Sequence, residues 1–454
     1  MDWTAELASA VAGQVRTDHA LVDKFATDFG RVVEKRPMAV VRPSSAEDVA
    51  NAVKFAGSHS LRIAARGAGH SQNSQSLSDD IVLDMRGLDR VLHIDEDRPC
   101  ATCQGGITWR ALLAQLLPLG LSPPVLTNNL DVTVGGTLST AGLGVASWRK
   151  GSQADHVSAL EVVTGTGDIV RCSPDSGKDL FDAVRAGLGQ FGVITGATIT
   201  LRKHQPKVRT FYLLYDDLGS LLNDLKSLTQ RERFDCLESW CVPLPQGLKK
   251  TGGDRRPFAE WFFPLHVTAE FDGAAPEAAE KLRDLHFYKH VHTEDWETPE
   301  FYTRLDPLFE LWKRGGFWDY AHPWMECILP WDAAAFYIQQ VLQNFPPQAL
   351  AGGHMLLWPA RGSASSVPLF VRPEGDAVMG FGILPAVPQS LLGQVLPMME
   401  KASQAAMLVG GKRYLSGWLP FTKDQWKAHY GTLWLTVEQL KEQYDPLRVF
   451  GELG

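Results

Sequence analysis

From Pro37 the apolar and polar positions fall into short, distinct patterns. The run MAVVRPSSAEDVANAVKFAGSHSLRIAARGAGHSQ reads as strand, helix and strand, with Ser44 placed to cap the helix and Asp48 in its first turns. DDIVLDMRGLDRVLHIDEDRPCATCQGG then supplies alternating strand segments that stop at Gly105 and Gly106, and ITWRALLAQLLPLGL has helical spacing up to Gly120. The first 200 or so residues therefore predict a mixed α+β unit. From about Lys203 the pattern changes to the longer strand-like stretches KVRTFYLLYDD, FDCLESWCVPLP and AEWFFPLHVTAEF, with helical spacing in LGSLLNDLKSLTQRER and GAAPEAAEKLRDLHF and a further strand in AVMGFGILP. That middle region predicts a sheet with helices on it. The segment WKAHYGTLWLTVEQLKEQYDP returns to helical spacing and ends at Pro446.

A chain of 454 residues is long enough for at least two packed domains, and its 44% apolar and 21% charged composition excludes disordered, collagen-like and coiled-coil classes. Lys and Arg number 44 against 52 Asp and Glu, so the net charge of -8 leaves no basic footprint for nucleic acid. No apolar run approaches the roughly 18 residues of a membrane span, and the start MDWTAELASAVAGQV lacks the cationic and apolar parts of a signal peptide. A cytoplasmic protein with no membrane partner is expected. Six cysteines are too few for a disulfide scaffold; Cys100 and Cys103 have the spacing of a metal pair but no matching second pair, so they read as strand thiols and no metal is expected.

Three glycine-rich segments are candidates for chemistry. GLGQFG, Gly187 to Gly192, matches the dinucleotide pattern, but a helix-like segment precedes it and a strand-like one follows, the reverse of the order that aims a helix N-terminus at a pyrophosphate. RGAGHSQNSQS places Gly67, Ala68 and Gly69 beside His70 and Ser71 after a strand, where backbone N–H groups can converge on an anion. LDVTVGGTLSTAGLG brings Thr133, Gly135, Gly136, Ser139 and Gly142 together in a dozen or so residues. The two loops could bracket one diphosphate; the competing reading is a pair of tight turns.

The ordered set RGAGHSQNSQ, NLDVTVGGTLSTAG, LFDAVRAGLGQFGVIT, HPW and RYLSGWLPFTKDQWKAHYGTLW, with YDPL after it, resembles the cytokinin dehydrogenases among the vanillyl-alcohol-oxidase-type FAD-linked oxidases, from about Arg31 onward. The resemblance implies a two-domain α+β protein of PCMH type: an FAD-binding domain from residues 1–203, a substrate domain of antiparallel sheet flanked by helices from 204–410, and a segment 411–454 that returns to the first domain. It implies FAD joined to His70 through a single covalent link, since residues 127–147 offer no cysteine for a second. Gly67, Ala68, Gly69, Ser71 and Gln75 would line the first cofactor loop; Asn128, Thr133, Gly135, Gly136, Ser139 and Leu143 the second; Ile194 and Tyr414 would approach from elsewhere.

The same resemblance puts Asn128 where the family has an aspartate that takes the proton of the substrate amine, and an amide is no base near neutral pH. Asp131 is a possible substitute, although alternation along an extended segment turns it away from Asn128. Glu238 falls where the family contacts the purine end of cytokinins, and Trp324 could wall the cavity. The family's C-terminal glutamine is absent from DPLRVFGELG. These residues imply transfer of hydride from a C–N or C–OH carbon of a small aromatic or heterocyclic substrate, with O2 or a quinone as acceptor. Two other functions stay open: an alcohol or sugar-alcohol oxidase, with His322 as its basic group, and a flavin-binding relative without turnover.

Overall fold

The computed structural model describes residues 3–453. Four sheets account for its strands. A four-stranded sheet orders Gln14–Arg16, Ala39–Arg42, Ile81–Asp84 and Ile63–Arg66, the last three parallel. The helix Ala46–Ser58 covers it, burying Val49, Val53 and Phe55. Ser45, rather than Ser44, caps that helix: its extended backbone brings the hydroxyl to the Asp48 N–H at 3.3 Å. Ser44 instead donates to the Asp48 carboxylate at 2.6 Å. A five-stranded antiparallel sheet follows, Val91–Asp95, Cys100–Gln104, Val193–Thr200, Val157–Val163 and Ile169–Cys172. Cys103 is buried in its second strand. A two-stranded ribbon pairs Arg202–Lys203 with Leu121–Ser122.

The remaining sheet has eight antiparallel strands in the order Lys289–Glu297, Lys207–Tyr215, Asp254–Phe271, Cys236–Thr251, His354–Arg361, Ala377–Leu384, Met325–Pro330 and Lys412–Arg413. Its period of two separates the faces. Phe211, Leu265, Leu357, Phe381 and Cys327 point into a core shared with the helices Leu218–Arg231, Trp331–Asn344 and Leu392–Leu408. The opposite face carries Trp240, Leu356, Gly382 and Glu326 in one row, paired across neighbouring strands. Gly382 leaves part of that row without a side chain, and in the next row the Trp358 ring lies across Gly380, 1.9 Å from where a Cβ would stand.

Elsewhere the periodicity misleads. The helix expected over GAAPEAAEKLRDLHF is only Ala278–Lys281. Asp284, in its expected last turn, has φ +64 and cannot continue a right-handed helix. The helix expected over 426–446 is divided by Gly431 at φ +57 into Lys423–Tyr430 and Trp434–Tyr444. These two helices bury Trp426, Tyr430 and Val437 in the same core as Leu180 and Phe181, and the Ile63 N–H donates to the Val449 carbonyl at 2.8 Å. Residues from both ends of the chain thus pack together. No helix among the described residues is long and apolar enough to cross a membrane.

Candidate active site

A cavity of about 1140 Å³ separates the two glycine-rich loops from the bare face of the eight-stranded sheet. The loops touch: a Cβ on Gly67 would lie 2.0 Å from the Thr133 hydroxyl, so only glycine permits the approach. Among the described residues, no backbone N–H from Ala68 to Gln72 has an acceptor within the protein. The same holds for Ala141 and Leu143, while the Gly142 N–H between them is turned to the Tyr414 hydroxyl; Ala141 and Gly142 both have left-handed φ, +78 and +74. Consecutive donors in this conformation form a concave anion cradle. The GLGQFG segment lies between the helix Lys178–Val184 and the strand Val193–Thr200, and Leu188, Gly189 and Gly192 reach the cavity wall from there.

The first loop is stiffened from behind by Asp28, which the sequence did not single out. Its carboxylate accepts from the Ser71 hydroxyl and the Ser74 N–H, both at 2.9 Å, and from the Arg31 N–H at 3.2 Å. Burial raises the Asp28 pKa despite these bonds. Gly69, at φ +72, turns the chain so that the His70 ring faces the cavity. That ring packs on Phe29 at 4.1 Å between centroids and edge-on to Trp324 at 5.8 Å. Neither ring nitrogen has a hydrogen-bond partner among the described residues, and burial followed by the neighbouring His322 lowers the pKa to about 4. The imidazole is therefore neutral at pH 7, with a lone pair available to a bound group.

Every residue expected at the cofactor, Gly67, Ala68, Gly69, His70, Ser71, Gln75, Asn128, Thr133, Gly135, Gly136, Ser139, Leu143, Ile194 and Tyr414, lies on this one cavity. Of the residues expected at the substrate, Asn128, Glu238 and Trp324 line it as well. Asp131 does not. It is exposed and paired with Arg110 at 2.5 Å, on the other side of the segment from Asn128, and Arg110 also holds Asp306 at 2.8 Å. His322 is likewise outside the lining: its Nδ1 donates to the Phe29 carbonyl at 3.0 Å and its ring stacks behind Phe29 at 4.0 Å. Burial holds its pKa down to about 4.

The sequence missed the partner of Asn128 and Glu238. Asn128 Nδ2 donates to Glu238 Oε1 at 2.8 Å, and Arg304 Nη2 donates to Glu238 Oε2 at 2.9 Å and to Asn128 Oδ1 at 3.1 Å. Both charged side chains are only 13% exposed, and the guanidinium lies over Phe301 at 4.5 Å. Each polar atom of the Asn128 amide facing this group is thus satisfied by an ionised neighbour. The helix Asp306–Arg314 follows directly and brings Leu308, Phe309 and Trp312 over the cavity, with Trp318 beyond it. Glu326 is an unanticipated interior carboxyl on the wall, beside Asp79, Asp80 and Glu452 nearer its rim.

The donor-rich loops, the apolar and aromatic opposite wall and the neutral His70 imidazole beside the first loop suit a flat redox cofactor with a diphosphate tail. Residues 37–173 match the family model for an FAD binding domain, and residues 263–452 match that for cytokinin dehydrogenase 1, FAD and cytokinin binding. The chain is 30% identical to an uncharacterized oxidoreductase in the fasciation locus of Rhodococcoides fascians, over 97% of this chain and 98% of that one. It is 30% identical to cytokinin dehydrogenase 7 of Oryza sativa subsp. japonica, over 97% and 91%, and 31% identical to cytokinin dehydrogenase 9 of the same plant, over 94% and 87%. Fold, site and relatives together define an FAD-linked oxidoreductase. Within that class, the chain belongs to the cytokinin dehydrogenase family.

Proposed function

We propose that the protein removes hydride and a proton from the C–N bond of a small aromatic or heterocyclic amine, as the names of its relatives suggest for them, using FAD tied to His70 by one covalent bond. The carrying observation is the His70 imidazole, neutral and without a partner among the described residues, at the meeting point of two donor-rich loops. Protonated imidazole has no lone pair to give, so burial keeps the ring in the form that can make the bond. Bound FAD supplies a two-electron acceptor for hydride, to be reoxidised by O2 or a quinone.

The chain's own residues orient the reactants. The N–H groups of Ala68 to Gln72, with those of Ala141 and Leu143, are placed to receive phosphate oxygens. Trp324, Leu356 and Trp358 offer an apolar wall to a planar ring. Glu238, fixed by Asn128 and Arg304, presents acceptors to a heterocyclic N–H at a set position. A role for His322 as the base of an alcohol oxidase is disfavoured by its place behind Phe29.

Acid denaturation of the purified protein tests the link: the yellow colour should stay with the polypeptide and should be lost from it in His70→Ala. Free flavin released from the unmodified protein would refute the bond to His70. A panel of secondary amines and alcohols, added without O2, should bleach the flavin with the amines; bleaching by the alcohols alone would refute the substrate class.

A further inference from the structure

The proposed reaction releases a proton as well as a hydride, and the residue at the position expected to accept it is an amide. Asn128 has no basic atom to offer, and its carbonyl and amino group are both engaged by Arg304 and Glu238. Glu238 is itself bonded to the guanidinium. Of the other carboxyls on the cavity wall, Asp79 and Glu452 are exposed, Glu452 pairing with Arg448 at 3.5 Å, and Asp80 accepts from the backbone N–H of exposed Arg62 at 2.7 Å. One interior carboxyl remains.

Glu326 sits in the row Trp240, Leu356, Gly382, Glu326 that crosses the sheet face. It is two residues from Trp324 on the same side of the chain, and Trp324 is edge-on to His70. Its backbone carbonyl accepts from the Tyr414 N–H at 3.0 Å, which ties this position to the tail segment that reaches the second glycine-rich loop. Facing Gly382, whose Cβ position lies 3.1 Å from Glu326 Cγ, the side chain lies against backbone where any other residue would crowd it. The carboxyl therefore lines the cavity from the sheet side, beside Ser416 and next to the Tyr414 that reaches the second loop.

We infer, on the amine-oxidation reading above, that Glu326 is the proton acceptor of the reaction, taking the substrate N–H proton as the adjacent carbon gives up its hydride. The N–H bond breaks to Glu326, and its electron pair forms the C=N bond. The C–H bond breaks with its pair to the oxidised flavin, which is reduced by two electrons. The products are an imine, reduced flavin and a neutral Glu326 carboxyl.

The surroundings fit a group that must accept and release a proton. The carboxyl has one hydrogen-bond partner in the protein among the described residues, the Ser416 hydroxyl at 3.3 Å. The nearest cation, Arg413, spends its donors on the Glu326 carbonyl, Ser403 and the Trp418 carbonyl rather than on the carboxylate. Tyr414 and Cys327 flank it, and burial raises the pKa of each. The strand Ala377–Leu384 alongside carries no ionisable group. Desolvation raises the Glu326 pKa to about 7, against lesser opposing effects of Ser416 and Arg413, which is the range a base needs near neutral pH. His354, the other imidazole on this wall, is pushed to about 4 by burial and is a poorer base.

The test is anaerobic stopped-flow reduction of the flavin-loaded protein by the amine that bleaches it best, from pH 5 to 9, with Glu326→Gln, Glu326→Asp and His354→Asn. The unmodified protein should speed up with pH and level off above about 7; Glu326→Gln should be slower by roughly 10²–10⁴-fold and lose that limb, and Glu326→Asp should recover part of both. Infrared difference spectra should show a carboxylic C=O band disappearing over the same pH range, absent in Glu326→Gln. The assignment is overturned if Glu326→Gln keeps the rate and the limb, or if His354→Asn alone removes it. It is also overturned if only the pH dependence of the flavin potential changes, since Glu326 would then serve the cofactor. If no amine reduces the unmodified protein while the infrared transition is present, the amine reading falls and the base role with it.

Discussion

Replacing Arg304 by leucine removes the cation from the most enclosed ion pair of the cavity wall. Arg304 reaches Glu238 at 2.9 Å and Asn128 at 3.1 Å, with each charged side chain 13% exposed, so the pair belongs to the buried regime rather than to that of surface bridges. Leucine keeps some apolar contact with Phe301 but leaves Glu238 charged, with Asn128 Nδ2 as its one remaining donor. Breaking a buried pair on one side costs about 3 kcal/mol, most of it the penalty of the uncompensated charge. Glu238→Gln in the Arg304→Leu background removes that charge and keeps a side-chain oxygen for Asn128, so the double variant should regain about 2 kcal/mol. Urea unfolding of the flavin-loaded protein, followed by tryptophan fluorescence, measures each corner of the cycle. A loss below about 0.5 kcal/mol for Arg304→Leu, or strict additivity of the two changes, would refute the account of this group as a buried, mutually dependent unit.

Gly67→Val places side-chain atoms where the Thr133 hydroxyl already stands, 2.0 Å from the Cβ position. It should fold yet bind no flavin, checked by the absorbance of the purified protein and by its retained far-ultraviolet circular dichroism. Glu326 makes a separate prediction for stability. A carboxyl whose pKa rises from 4.5 to about 7 on folding binds more protons in the native than in the unfolded state between those values, so its contribution falls as pH rises through that window. The unmodified protein should thus lose about 3 kcal/mol relative to Glu326→Gln between pH 4 and pH 8, read from urea midpoints of both proteins across that range.

The cofactor side of the site was legible because its chemistry is local. His70 and its glycines are contiguous, as are Thr133 to Leu143, and a loop of donors needs only neighbours in sequence. The reversed order around GLGQFG was equally local, a helix before and a strand after. The substrate side is assembled from distant parts. Arg304 lies 176 residues from Asn128, and no pattern in TRLDPLFELW distinguishes it from a solvated helix-flanking arginine. Glu326 is the second residue of a strand, MECILP, whose alternation gives its face but not what that face meets. The one available cue was MGFGIL, where glycines two apart strip one side of a strand and mark a place where something else approaches closely. Asp131 lies off the cavity in a bend and turn rather than in the extended segment expected, and its ion pair with Arg110 accounts for an acid there.

The joining of Ile63 to Val449, with Phe450 to Leu453 on the same wall as His70, has a consequence for biogenesis. A nascent chain that already displays both glycine-rich loops still lacks a closing wall supplied more than 300 residues later. Dinucleotide capture is therefore a late event in maturation, and a polypeptide ending short of residue 449 would expose the His70 pocket to water on that side.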